Sequence, residues 1–125
     1  MALTPAEVRA FKQRLLEEQQ RLEQELEVLE ERTRNASESE RATELSGYDD
    51  HPADLASETF ELEKERALQE SIEAMLARVR TALSKIERGT YGICDACGQE
   101  ISKERLTALP HATLCVIDQS RMETR

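Results

Sequence analysis

Apolar residues recur along the first third of the chain at steps of three, four and seven: Val8, Phe11, Leu15, Leu22, Leu26 and Leu29, with Thr33 and Ala36 continuing the spacing. Such spacing lays one stripe along an α-helix. Gln19 falls on the same stripe and would favour one register of pairing. Around it lies EEQQRLEQELEVLEER, a solvated charged face with many Glu and Arg residues four apart. Thr4-Pro5-Ala6-Glu7 reads as the start: Thr4 as N-cap, Pro5 at the first helical position, Glu7 closing a capping box. The helix is expected to run to at least Asn35. A second stripe, Leu62, Ile72, Leu76, Val79, Leu83 and Ile86, predicts a helix from about Asp54 to Arg88. Leu68, Met75 and Ala82 lie beside that stripe, and Glu65 and Gln69 interrupt it. Gly89 marks its end, with Lys85 and Arg88 in the last turn, where the helix dipole favours cations.

Between the two stripes the composition shifts to NASESERATELSGYDDHPAD. Gly47 and Pro52 place the reversal at Ser46 to Ala53. Two helices of ~32–35 residues, each ~50 Å long, then fold back as an antiparallel coiled-coil hairpin. Its reversal carries Asp49, Asp50, Asp54 and Glu58. Asp54 also suits the N-cap of the second helix, and Asp49 and Asp50 suit a turn.

After Gly89 the helical period stops, and the candidate chemistry begins. Cys94 and Cys97 form a C-x-x-C pair followed by Gly98. Seventeen residues separate Cys97 from Cys115, and two separate Cys115 from Asp118. All three cysteines of the chain fall here. Two short knuckles joined by a loop are what a tetrahedral zinc ribbon requires, with a carboxylate in one position. The fourth ligand on this reading is Asp118, with His111 as the alternative. A redox C-x-x-C would need a thioredoxin-like strand-helix setting that the sequence lacks. A closed zinc site of this kind is structural, and no nucleophile, base and pocket accompany it, so the chain reads as a non-enzyme. A last helix is expected from about Thr113 to Glu123. Ile101, Leu106, Leu109, Leu114 and Ile117 would pack the ribbon against the hairpin base. Arg78, Lys85, Arg88, Lys103 and Arg105 read mostly as a solvated face.

Composition narrows the choice of partner. Across 125 residues the formal net charge is −9, with 34% charged, 38% hydrophobic and only 3% aromatic residues. So few bulky groups suit helices packed along a seam, with a metal holding the smaller part. A phosphate backbone repels this charge, so direct nucleic-acid binding is disfavoured and a basic protein surface is the expected partner. No apolar run approaches the ~20 residues that span a bilayer, and MALTPAEVRAF lacks the order of a signal peptide. The expectation is a cytoplasmic protein without a membrane partner.

Two stretches resemble a known family. GTYGICDACGQEISKERLTALPHATLC resembles the zinc-finger signature of the DksA/TraR family, and YDDHPADLASETFELEKERAL is similar to its Bacillus-type YteA branch. The resemblance implies a coiled-coil hairpin that enters the secondary channel of bacterial RNA polymerase and acts near the active centre. It places the family's fourth zinc-binding cysteine on Asp118. It places the family's tip motif on Asp50, His51, Asp54 and Ala56, with His51 where the family carries an acid. Basic residues near the finger help members of the family hold the alarmone ppGpp. Arg78 falls on one such position, but Leu109 and Gln119 fall on two others, which implies little or no response to ppGpp through that site. The expectation is therefore an all-α protein: residues 1–88 a long antiparallel coiled-coil hairpin with an acidic tip near 46–58, and residues 89–125 a zinc finger with a short C-terminal helix. Its expected role is a transcription regulator, acting as a monomer on RNA polymerase. The alternative is a coiled-coil adaptor or sporulation-linked structural protein with a structural zinc site and a different protein partner.

Overall fold

The computed structural model describes the backbone of residues 3–46 and 52–124, and the side chains of residues 3–35 and 59–124. Asp50 and His51 lie outside the described residues, as do the side chains of Asp54 and Ala56. The fold is all-α: α1 (Pro5–Ser46), α2 (Pro52–Arg88), α3 (Lys103–Ala108) and α4 (Val116–Glu123). The β geometry among the described residues is one isolated antiparallel bridge between Ile93 and Glu100.

Each long helix is bounded by local chemistry. At the start of α1 the Thr4 N–H donates to Glu7 Oε1 at 3.1 Å, and the Glu7 N–H donates to Thr4 Oγ1 at 3.2 Å. This reciprocal pair satisfies two N–H groups that the helix leaves open. Helix α2 begins at Pro52, two residues before the predicted Asp54. A proline has no N–H to lose at the first helical position and its φ is already helical, so Pro52 opens the helix where a break was expected. Asp54 is therefore inside the first turn and is not the N-cap. At the other end Gly89 takes φ +75°. Its N–H donates to Ile86 O at 3.2 Å, and the Thr90 N–H donates to Lys85 O at 2.9 Å. These two bonds form a Schellman closure, which favours glycine at the left-handed position.

The chain divides into two compact units, Met1–Arg21 with Met75–Arg125, and Leu22–Ala74. In the first, Phe11, Leu15, Leu76, Val79 and Ala82 are buried together with Tyr91, Ile101, Leu106 and Ala112. Phe11 and Tyr91 meet at a ring-centroid distance of 5.8 Å with their planes tilted by 50°, a favourable aromatic arrangement. In the second unit Leu22, Leu29 and Ile72 are the buried hydrophobic residues among those described. From Val8 to Thr33 the α1 stripe is the one its spacing predicts, and the side chain of Ala36 lies outside the described residues. On α2, however, Leu83 and Ile86 are only half-buried, whereas Ala82 and Lys85 are buried. The end of α2 therefore turns a different face inward, toward the segment that follows it.

Candidate metal centre

The turn after α2 is held by its own backbone. The Ile101 N–H donates to Gly92 O at 2.7 Å, the Cys94 N–H to Gln99 O at 2.8 Å, and the Gly98 N–H to Cys94 O at 2.9 Å. Gly98 sits at φ +75° in open space. Its backbone conformation, not crowding, calls for glycine here. The loop carries Cys94 inward, while Cys97 stays exposed.

The second knuckle uses a helix start. Cys115 is the residue before α4 and makes no side-chain cap, so its thiol is left for other partners. Asp118 is the third residue of α4, a position whose side chain reaches back toward the N-cap and where the helix dipole favours an acid. The two-residue spacing thus brings the Asp118 carboxylate to the Cys115 thiol. Cys115 Sγ donates to Asp118 Oδ2 at 3.2 Å, and Cys94 Sγ donates to the same oxygen at 3.1 Å. Cys97 Sγ and Cys115 Sγ lie 3.9 Å apart. One ligand atom from each of Cys94, Cys97, Cys115 and Asp118 falls within 4.8 Å of all the others. Sulfurs bound to one tetrahedral zinc at ~2.3 Å are ~3.8 Å apart, so the donor set has the size zinc needs.

The electrostatics of the cluster also call for a cation. Burial works to raise the Cys94 thiol, but backbone N–H groups of Cys115, Cys97 and Ala96 outweigh it and bring Cys94 below the usual thiol range. Thiols of Cys97, Cys94 and Cys115 donate to Asp118 and lower its carboxyl. The Gln99 N–H favours a thiolate at Cys97, yet the adjacent Asp118 charge leads the effects that push that thiol up to about 12. Four acidic groups this close cannot all ionise unless a positive ion sits among them. The residues present fit a divalent, thiolate-preferring metal such as zinc.

His111, the alternative fourth ligand, is not in this cluster. It lines a separate cavity of about 210 Å³ with Arg14, Leu15, Glu18, Ala108 and Pro110. Burial lowers its pKa first, and Arg78 and Arg105 lower it further against an opposing effect of Glu18.

Several residues that hold the site were not singled out by spacing. Lys85, read as a solvated cation near the end of α2, is 3% exposed. Its Nζ donates to Ile93 O at 2.8 Å and to Asp95 Oδ1 at 2.7 Å. The Tyr91 hydroxyl donates to Pro110 O at 2.7 Å, joining the two sides of the module. Arg105 Nε donates to Leu114 O at 2.9 Å, and Lys103 pairs with Glu7, so these cations too have structural partners. Helix α3 was unpredicted. Its signal was Ser102, whose hydroxyl accepts from the Arg105 N–H at 3.2 Å as an N-cap. Leu109 and Ile117, expected in the packing, are 40% and 65% exposed. A six-residue helix offers few inward positions, and Leu106 takes the one in α3. On α4 Asp118 takes the inward position, and its sequence neighbour Ile117 is carried about 100° round the helix away from it.

Comparison with known proteins agrees with this geometry. Residues 89–116 match the model of the prokaryotic DksA/TraR C4-type zinc finger. The chain is 51% identical over 70 residues to the protein YteA of Bacillus subtilis, a match that covers 56% of this chain and 29% of that relative. It is 33% identical over 119 residues to the RNA polymerase-binding transcription factor DksA of Caulobacter vibrioides, covering 92% of this chain and 75% of the relative. Its structure is similar to that of the transcription factor DksA2 from Pseudomonas aeruginosa, with a TM-score of 0.76 at 30% identity, over 97% of this chain and 86% of the other. No helix among the described residues is long and apolar enough to cross a membrane.

Proposed function

The chain belongs to the DksA/TraR zinc-finger family, and from that premise we propose that it is a non-enzymatic transcription regulator that binds bacterial RNA polymerase through the enzyme's secondary channel. The observation that carries this reading is the extent of the likeness to DksA proteins, which runs through both long helices as well as the finger. On this reading Asp50, His51, Asp54 and Ala56 act near the active centre. Cys94, Cys97, Cys115 and Asp118 hold a structural zinc ion that fixes the base of the hairpin. When bound, zinc supplies the positive charge that lets the thiols ionise together. The protein acts as a monomer. With Arg78 accompanied by Leu109 and Gln119 in place of basic residues, it responds little to ppGpp through the finger side.

The test is binding to purified RNA polymerase core enzyme, with a secondary-channel blocker as competitor. Competable binding is expected. Asp54→Asn is expected to keep that binding and to reduce the effect on transcription several-fold. Equal loss of both, or of neither, removes the assigned role of the tip. Absence of polymerase binding by a folded, zinc-loaded protein moves the function to a coiled-coil adaptor with another partner.

A further inference from the structure

Lys85 makes contacts whose pattern goes beyond packing. A buried ammonium is tolerated only when its charge and its N–H donors are satisfied. Lys85 directs its Nζ at two acceptors, Ile93 O and Asp95 Oδ1, and these two residues flank Cys94 on either side. The same residue's carbonyl accepts the Thr90 N–H that closes α2. Asp95 continues the path: its N–H donates to Thr113 O at 2.9 Å, two residues before Cys115. One unbroken series of bonds therefore runs from the last turns of α2, through the Lys85 side chain, to the first knuckle and then to the second.

We propose that Lys85 is a positioning residue of the metal centre, holding Cys94 and its knuckle in register with Cys115, and that through it the loading of the metal is transmitted to the end of α2. The proposal rests on the reading that zinc occupies the cluster of Cys94, Cys97, Cys115 and Asp118. Both hydrogen bonds of the Lys85 ammonium go to the residues on either side of Cys94. Lys85 orients the backbone on which a ligand is mounted, as partners outside the ligand set do at other metal sites. A fourth ligand that is a carboxylate makes such support more consequential, because its oxygen is a harder and weaker donor to zinc than a thiolate sulfur.

The test uses the full-length chain. Zinc affinity is measured by competition with a chromophoric chelator for the unaltered protein, Lys85→Met, Lys85→Arg and Asp95→Asn. Amide hydrogen exchange in the last two turns of α2 is read with zinc bound and after chelation. The unaltered protein is expected to bind zinc and to lose protection in those turns when zinc is removed. Lys85→Met is expected to bind zinc 10–100-fold more weakly and to show little difference in α2 between the two states. Lys85→Arg keeps a cation with several donors and should recover part of the affinity. Asp95→Asn removes the charge of one acceptor while leaving the Ile93 carbonyl, so a smaller loss is expected. It also serves as the deciding variant should Lys85→Met fail to fold.

Unchanged zinc affinity in a folded Lys85→Met, or in Asp95→Asn where Lys85→Met does not fold, overturns the proposal. So does α2 protection that follows zinc as strongly in the variant as in the unaltered protein. If the unaltered protein takes up no zinc, the metal reading itself fails and the proposal falls with it, an outcome distinct from normal uptake by both.

Discussion

The two compact units are built from the same pair of helices yet solve different problems. In Leu22–Ala74, Leu22, Leu29 and Ile72 are the buried hydrophobics among described side chains, while Val28, Phe60 and Leu68 are 49%, 67% and 51% exposed. Two helices alone have only a narrow stripe to bury. In the other unit, Leu15, Val79, Ala82 and Leu106 are each at most 1% exposed, because the segment after Gly89 closes over the helix ends. An added layer of thirty-odd residues converts a seam into a core. It does so with loops held by the Lys85 and Tyr91 hydrogen bonds as well as by the buried Ile101 and Leu106.

The sharpest way to break this comparison is to remove one ligand. Cys94→Ser is expected to abolish zinc retention and to raise hydrogen exchange throughout Tyr91, Ile101 and Leu106, by several kcal/mol of lost protection, since structural zinc contributes directly to folding. Exchange of Leu22 to Leu29 should change far less. Equal loss in both stretches would mean that the units do not differ in the way their burial suggests.

A smaller effect sharpens the same contrast within one helix. Leu15 and Leu29 occupy the same stripe of α1, at 1% and 6% exposure. Leu15→Ala leaves a cavity walled by two helices and the finger and should cost about 3–5 kcal/mol, whereas Leu29→Ala faces one helix, which can settle into the gap, and should cost about 2 kcal/mol. Denaturant unfolding of both variants, followed by circular dichroism, gives the two values. A reversed order would contradict the burial pattern.

What the sequence made legible divides along the same line. The α1 stripe, its Thr4 cap and the Gly89 stop are local: each follows from residues within a few positions of one another, and each is present in the structure. The cluster of Cys94, Cys97, Cys115 and Asp118 was legible because metal ligands come in spaced pairs. The face that the end of α2 turns inward was not legible. Lys85 is buried by a segment eight to ten residues further on, and neither periodicity nor propensity carries that information. A lysine in the last turn of a helix has an adequate local explanation in the dipole, and the tertiary partners Ile93 O and Asp95 override it. The same holds for Tyr91, whose partner Pro110 is nineteen residues away. Leu109 and Ile117 erred in the opposite sense: apolar residues were assigned to the core when short helices had already filled their inward positions with Leu106 and Asp118.

The smallest expected effect concerns the capping residue Glu7, where a local motif and a tertiary contact coincide. Lys103 is the main cause that holds the Glu7 carboxyl down to about 2 from 4.5, with the Thr4 N–H second. A carboxyl whose folded pKa is depressed stabilises the fold fully above its unfolded value. That contribution is lost as the pH falls from about 4.5 toward 2. Lys103→Met should therefore move the Glu7 titration upward, though not the whole way, because the Thr4 cap remains. The stability difference between the unaltered protein and Lys103→Met should be larger at pH 6 than at pH 3, since protonation of Glu7 begins to remove the ion pair in the unaltered protein. Salt should shrink the difference, as it does for partly exposed pairs. Carboxyl-resolved NMR titration gives the first quantity and paired unfolding curves the second. A Glu7 midpoint unmoved by the substitution would assign the shift to the capping box alone, and the link between the start of α1 and the finger would then rest on Phe11 and Tyr91.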